Sequence, residues 1–249
     1  MARVKRKIKH ALKPEQVLAL LKPLENSSIA TNVRDYAAFV IMWRCGARAN
    51  EISKLRMNNI DIANRTIRIV ESKSDDRIII LDDFAIAKLE EWLKIRPKYA
   101  SKRNPFVFCI ASNRKANFNE HTKNIEKDYA MLEYDIARTY WTIKLHKLSE
   151  KTGVFFDEGS RGLKPAHAHC LRTTFCTDGL REGFNIVELQ RLGGWKSLSS
   201  VQSYAHAFTD ELALKVSQRK SPITTTDEQK QKEIARLQAE IDRLKGETK

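Results

Sequence analysis

The segment that decides the fold class is residues 59–81, NIDIANRTIRIVESKSDDRIIIL, because its apolar residues follow a different period from the rest of the chain. Apolar and polar residues alternate along it, and turn-forming residues interrupt the alternation at 63–65 and at 74–76. A period of two is typical of half-buried strands separated by turns. The segment therefore predicts three short antiparallel strands.

Helical periodicity surrounds this segment on both sides. Before it, we expect an amphipathic helix from Pro14, a second helix through about 32–45 with one apolar stripe, and a short helix that Asn50 caps. After it, we expect helices at 83–95, roughly 120–150, 165–181, 185–192 and about 199–209, with irregular segments at 97–119 and 152–164. The sequence thus predicts an α+β fold that is mostly α with a small three-stranded antiparallel sheet.

The charge of the chain points to a polyanionic partner. The 249 residues include 45 Lys and Arg against 31 Asp and Glu, a formal net charge of +14. Such a surplus favours nucleic acid or an acidic membrane surface. The longest apolar run, at 36–43, is far shorter than the roughly 20 residues that a membrane span needs. The basic N-terminus lacks the apolar core of a signal peptide. We therefore expect a cytoplasmic protein with no membrane partner.

Cofactor motifs are missing from the sequence. The four cysteines have no CxxC spacing and are typical of reduced cytosolic thiols. The cluster of His167, His169, Cys170 and Cys176 matches no common zinc spacing. The nine glycines form neither GxGxxG nor GxxxxGK[ST]. We expect no metal and no nucleotide cofactor.

Composition divides the chain into three parts. Residues 1–13 form a basic N-terminal arm, residues 14–220 the folded domain, and residues 226–249 a C-terminal helical tail. In the tail, apolar residues repeat at the a and d positions of a heptad, namely Ile234, Leu237, Ile241 and Leu244. Two heptads allow either a weak self-association helix, as a short coiled coil, or a solvated helix.

Several cationic and aromatic residues have both an ordinary and a functional interpretation. His169 and Arg172 lie three residues apart on a predicted helix, so both project from one face. An arginine there could grip two phosphate oxygens through its planar guanidinium, or could simply be a surface residue. Lys73 in the hairpin could be solvated or reach a DNA backbone. Trp195 could anchor a loop or donate its indole N–H to an oxyanion.

The order of these residues resembles the catalytic domain of the tyrosine recombinase (phage integrase) family over about residues 12–210. GARANEI supplies the arginine, HCLRTTF the His-x-x-Arg box, and LGGWKSLSS the aromatic position before the late tyrosine. The spacings are 25 residues from Arg48 to Lys73 (73 minus 48), 23 from Arg172 to Trp195 (195 minus 172) and nine from Trp195 to Tyr204 (204 minus 195). Two features depart from the family: Trp195 stands where histidine is commoner, and we expect the catalytic domain without the helical core-binding domain that normally precedes it. A minimal enzyme, a fragment of a longer one and a partner-dependent enzyme are all open interpretations.

The resemblance implies a site-specific recombinase or integrase that breaks and rejoins DNA through a covalent 3′-phosphotyrosine, without ATP or metal. Tyr204 would be the nucleophile and His169 its proton acceptor, while Lys73 would protonate the departing 5′ oxygen. Arg48, Arg172 and the Trp195 N–H would stabilise the phosphate in the transition state. Glu51 would orient the region around Arg48. This chemistry belongs to mobile genetic elements and to prokaryotic or virus-infected cells.

Double-stranded DNA is the partner that the resemblance implies, together with self-association on DNA as a tetrameric synapse and an accessory DNA-binding protein. The arm and loop cations are expected to meet phosphates. They are Arg3, Lys5, Arg6, Lys7, Lys9, Arg96, Lys98, Lys102, Arg103, Arg114 and Lys115. Two other functions remain open: a non-catalytic helix-turn-helix module over residues 184–207, and a type IB topoisomerase that relaxes supercoils.

Overall fold

A computed structural model gives the fold of residues 11–70, 76–100, 104–109, 134–158, 161–205, 231 and 234–238, and these are the described residues. The chain divides into two compact units, Met1–Phe208 and Thr209–Lys249. In the second unit, residues 231 and 234–238 are helical, and Ile234 and Leu237 are exposed. The other two heptad residues, Ile241 and Leu244, lie outside the described residues. No helix among those described is long and apolar enough to span a bilayer.

The first unit combines eight α-helices with two small sheets in its described parts. The helices are α1 (Pro14–Leu21), α2 (Ala30–Arg44), α3 (Ala49–Lys54), α4 (Asp83–Ile95), α5 (Tyr134–Thr152), α6 (Ala168–Glu182), α7 (Ile186–Gly193) and α8 (Leu198–Ala205). The strands are β1 (Ile60–Asp61), β2 (Thr66–Ile69), β3 (Arg77–Ile80), β4 (Phe155–Asp157) and β5 (Leu163–Pro165). The predicted α+β class, mostly helical with a small antiparallel sheet, is confirmed.

The predicted three-stranded sheet is present, in the order β1-β2-β3 with antiparallel neighbours. Its central pair, Ile67 and Ile79, is buried, whereas Ile78 and Ile80 are exposed. The second sheet, β4-β5, was predicted to be a loop, and that prediction is wrong. Each of its strands has only three residues, too few for a period to be visible.

Helix α2 is the centre of the core and packs against α4 and α6. The sequence predicts a single apolar stripe on it, but residues 34–43 are all buried, whichever side of the helix they face. A helix surrounded by other helices needs no polar face. Its end is as predicted, because Gly46 just beyond it adopts a φ of 66° in contact with the ring of Phe175.

The caps explain where the other helices begin. Asp82 accepts a hydrogen bond from the backbone N–H of Ala85 and starts α4 at the predicted residue. Asn185 and Glu188 form a capping box at the start of α7. The prediction that Asn50 caps α3 is wrong: Arg48 is the N-cap residue, and its N–H donates to the Glu51 carboxylate. Asn50 lies within the first turn instead.

Candidate active site

An open cleft of about 620 Å³ lies where α3 and α6 begin, beside α5. It brings together Arg48, His169 and Arg172, three of the residues that the sequence singled out. Ala47, Ala49, Asn50, Thr142, His146, His167 and Ala168 complete its lining. None of these described lining residues carries a carboxylate, and the first turn of α6 brings the positive end of a helix dipole to the cleft. The cleft is therefore suited to an anion.

Arg172 is a buried arginine in the second turn of α6, with an exposed fraction of 2%. Its guanidinium donates to the backbone carbonyl of Gly46 and, over 2.6 Å, to that of Gly193. The same group lies over the indole ring of Trp195, with 4.0 Å between the guanidinium carbon and the ring centroid. Arg172 thus ties the end of α2 to the turn after α7 while it faces the cleft.

Arg48 is half exposed and lies at the start of α3, where Gly46 has turned the chain. Its Nη1 donates to Glu51 Oε1 over 2.6 Å, and its Nη2 donates to the carbonyl of Gly194 over 3.0 Å. Glu51 orients Arg48 as expected, because its carboxylate also accepts the Arg48 backbone N–H over 2.7 Å.

The Glu51 carboxylate is buried yet stays ionised. Burial raises the pKa of this carboxyl. The charges and hydrogen bonds of Arg77 and Arg48 lower the pKa by more than burial raises it, so the pKa lies below its usual range. Arg77 belongs to β3 and pairs with Glu51 over 2.5 Å. Arg77 was not predicted to belong to the site, because its partner Glu51 lies 26 residues earlier in the chain.

His169 is exposed in the first turn of α6 and stacks on His167, with 6.3 Å between ring centroids and 9° between ring planes. His167 in turn meets the ring of Phe156 edge-on at 5.3 Å. Burial, and then the charge of His146, lower the pKa of His167. His146 and His167 also line the cleft but were not predicted to be part of the site. Only the position of His167 two residues before His169 hinted at this.

Trp195 follows the left-handed residue Gly194, whose φ is 65°. Its ring is partly buried between Arg172 and Phe175, and the two aromatic rings stack at 6.3 Å. The indole face is thus used as a packing surface against the arginine. A Cβ added at Gly193 would collide with this ring, so the first glycine of the pair is needed to admit it.

The structure describes only some of the other predicted site residues. Tyr204 lies on α8, and its side chain is outside the described residues, as is the whole of Lys73. Lys98 is described, in the turn after α4, and is exposed. The remaining predicted DNA-contacting cations that the structure does not describe are Arg3, Lys5, Arg6, Lys7, Lys9, Lys102, Arg103, Arg114 and Lys115.

The prediction that Arg96 contacts phosphate is wrong. Its side chain is buried, with 7% exposed, and its guanidinium donates to the backbone carbonyls of Asn104, Phe106 and Val107. It holds the segment 104–109 against α4. Within the described ranges, no three His, Cys, Asp or Glu side chains are grouped so as to hold a metal ion.

Known tyrosine recombinases are similar to this chain over most of its length. The tyrosine recombinase XerC of Roseiflexus castenholzii is 26% identical over 205 residues, which are 82% of this chain and 57% of that protein. The chain therefore spans little more than half the length of that relative. The crystal structure of a XerA recombinase superposes with a TM-score of 0.62 at 21% identity, over 88% of this chain and 68% of the other.

A second solved structure, XerH site-specific recombinase bound to its palindromic difH substrate in a post-cleavage complex, gives a TM-score of 0.63 at 19% identity. It matches 88% of this chain and 55% of the other. These likenesses show a shared fold. The model of the phage integrase family matches residues 10–211, which is most of the chain. The chain therefore belongs to the phage integrase family.

Proposed function

We propose that this chain carries the catalytic centre of a site-specific DNA recombinase, which cleaves and rejoins strands through a covalent tyrosyl–DNA intermediate. One observation carries the proposal: Arg48 lies more than 120 residues before His169 and Arg172 (169 minus 48 is 121), yet all three line one cleft whose described lining carries no carboxylate. Membership of the phage integrase family supports it, as does the likeness to XerH, which was solved bound to its difH substrate.

In the proposed first step, the Tyr204 oxygen attacks the phosphorus and the bond from phosphorus to the 5′ oxygen breaks. His169 accepts the phenol proton, and Lys73 donates a proton to the departing 5′ oxygen. A phenol with a pKa near ~10 is mostly neutral at pH 7, and the nearby arginines favour its phenolate. One phosphodiester bond is exchanged for another, so rejoining requires no ATP, and the arginines of the cleft are proposed to stabilise the phosphate in place of a metal.

Stabilisation of the phosphate is assigned to the cations of the cleft. Arg172 is fixed by two carbonyls and by the Trp195 ring, and Arg48 is fixed by Glu51. Donors that are already oriented need little rearrangement when negative charge develops in the transition state. The N-terminal turn of α6 adds backbone N–H groups and a favourable dipole at the same place.

Double-stranded DNA is the proposed substrate, and exchange between partners is proposed to need several copies of the chain on DNA, as a tetrameric synapse. An accessory DNA-binding protein is a further proposed partner. The net charge of +14 supports a nucleic-acid substrate, because neutralised phosphates release bound counterions.

The test is a nicked duplex that traps the cleaved strand. Wild type should form a covalent protein–DNA adduct, and Tyr204→Phe should form none. Tyr36→Phe, which removes a hydroxyl from a buried tyrosine of α2, is the matched control and should retain the adduct. An adduct in Tyr204→Phe would refute the nucleophile. No adduct in wild type would favour a non-catalytic DNA-binding module, and relaxation of supercoils without strand exchange would favour a topoisomerase.

A further inference from the structure

Three arginines meet at the C-terminal end of α7. Arg77 Nη1 donates to the carbonyl of Leu192 over 2.9 Å, Arg172 Nη2 to that of Gly193 over 2.6 Å, and Arg48 Nη2 to that of Gly194 over 3.0 Å. These are consecutive carbonyls, and the last carbonyls of a helix lack intrahelical partners and carry partial negative charge. We call this arrangement the arginine clasp.

Glu51 links two members of the clasp. Its carboxylate accepts from Arg48 at 2.6 Å and from Arg77 at 2.5 Å, and its side chain is only 1% exposed. A buried carboxylate needs such partners, because an uncompensated buried charge is costly. A substitution of Arg77 therefore removes a partner of the Glu51 carboxylate and, through Glu51, changes the position of Arg48.

The turn after α7 is shaped to fit Arg77. A Cβ added at Gly194 would collide with the Cδ and Nε of Arg77, so the side chain of Arg77 lies directly on the glycine backbone. The next residue, Trp195, packs on Arg172. Arg77 therefore contacts the turn between α7 and the segment that leads to α8 and Tyr204.

We propose that Arg77 is a positioning residue, which holds Arg48 through Glu51 and holds the Trp195 turn through the Leu192 carbonyl. This inference rests on the proposed function, since the positioned groups are those assigned to the phosphate. Arg77 itself does not reach the cleft: its side chain is 12% exposed and is absent from the described cleft lining. Its loss should therefore impair the chemical step more than DNA binding.

The experiment compares Arg77→Gln with Arg68→Gln. Arg68 lies in the same sheet, on β2, and its ion pair with Asp76 is exposed, so its removal takes the same charge from the same region without touching the clasp. For each variant, DNA affinity and the single-turnover rate of adduct formation at saturating protein are measured. Arg77→Gln should lose up to about 100-fold in rate, because small misplacements of catalytic groups have effects of that size. Its affinity should stay within about twofold of Arg68→Gln.

The pH dependence of the rate separates a positioning role from general destabilisation, because destabilisation alone would not change the pH at which the rate falls. With Arg77 gone, Glu51 loses a cation that lowers its pKa, so the acid limb of the rate profile should move to higher pH. Arg68→Gln should keep the wild-type limb. Arg77→Lys restores one charge but not the two-sided fork, and should recover part of the rate.

A spectroscopic measurement tests the clasp independently of catalysis. The four tryptophans, labelled as 5-fluorotryptophan, give four fluorine signals, and Trp195→Phe identifies the one from the turn. Arg77→Gln should shift the Trp195 signal and leave those of the core residues Trp92 and Trp141 in place. If Arg77→Gln does not fold, Arg77→Lys carries the same comparison.

Equal rates for Arg77→Gln and Arg68→Gln, an affinity loss that accounts for the whole rate loss, or an unmoved Trp195 signal would each overturn the proposal. Failure of the proposed function looks different. In that case wild type itself forms no adduct, while the fluorine signals still report whether Arg77 holds the turn.

Discussion

Two arginine networks in this molecule, one buried and one at the edge of the cleft, use their guanidinium groups differently. In the first, Arg34 of α2 donates through Nε and Nη2 to Asp35 Oδ1, at 2.9 and 2.7 Å, and through Nη1 to the carbonyl of Cys109. On α5, the Tyr140 hydroxyl donates to Asp35 Oδ2 and Lys144 forms an ion pair with the same carboxylate. In the arginine clasp, each arginine donates to a backbone carbonyl, two of them also pair with Glu51, and the network borders an open cleft.

The difference lies in what each arginine could still bind. Arg34 is only 4% exposed and is neutralised by the fully buried Asp35, so it can only stabilise the fold. Arg172 instead donates to the neutral carbonyls of Gly46 and Gly193, and it lines the open cleft. Substitutions in the first network should therefore change the stability of the fold, whereas substitutions in the clasp should change the rate of the reaction.

The largest expected effect is on the first network. Asp35→Asn removes the buried carboxylate and leaves Arg34 uncompensated, which should lower the free energy of unfolding by about 3–5 kcal/mol. Urea denaturation of the full chain measures it. Asp76→Asn breaks an exposed ion pair with Arg68 and should cost no more than about 1 kcal/mol. Equal losses would remove the distinction between buried and exposed pairs.

The next effect concerns the clasp. Arg172→Lys keeps the charge but loses the fork, and should slow adduct formation by about 10²–10³-fold, or about 2.7–4 kcal/mol of barrier. Arg34→Lys is the matched change in the other network. It should lower stability while the rate per folded molecule stays near that of wild type. A comparable rate loss in Arg34→Lys would show that the two networks are not functionally separate.

A smaller effect is expected where the clasp contacts Gly194. Gly183 and Gly194 both end helices with positive φ, 98° and 65°, but only Gly194 has a side chain packed on it. Gly183→Ala should therefore cost about 1–2 kcal/mol of stability from backbone strain alone. Gly194→Ala should cost about 1 kcal/mol more, because Arg77 must move. Thermal unfolding of both variants measures the difference, and equal costs would argue against a tight Arg77 contact.

Much of the fold could be predicted because local signals agree with the tertiary structure. Helix α4 begins and ends at the predicted residues, since Asp82 caps it and Pro97 follows its last turn. The sheet was visible from its alternation. Strands β4 and β5 were not, because each is too short to show a period. The burial of residues 34–43 on every side of α2 was missed too, because Arg34 and Asp35 look solvent-facing until their partners on α5 are known.

The site was predictable only in part, for the same reason. His169 and Arg172 share a helix face, so their spacing was informative. Arg77 looked like an ordinary hairpin cation, and Arg96 looked like a phosphate contact. What decides their roles is a partner outside their own helix or strand: Glu51 and Leu192 for Arg77, and the carbonyls of Asn104, Phe106 and Val107 for Arg96. Such pairings leave no local pattern.

The smallest expected effect is a dependence of stability on pH at the rim of the cleft. Because burial and the charge of His146 hold the pKa of His167 below its usual value near 6.5, the unfolded chain binds the proton more readily. The contribution of His167 is therefore fully present above about pH 6.5 and is lost as the pH falls below it. His167→Gln should flatten the stability curve in that window.

Two neighbours of His167 should change the size of this pH dependence in opposite directions. His146→Gln removes one of the two causes and should flatten the curve only partly, whereas Glu158→Gln removes the charge that opposes them and should steepen it. Chemical denaturation of the three variants at several pH values measures the slopes. If His167→Gln kept the wild-type slope, the loss would belong to other groups. The graded order would instead show that this rim of the cleft, unlike the Arg34 network with its buried Asp35 carboxylate, resists added positive charge.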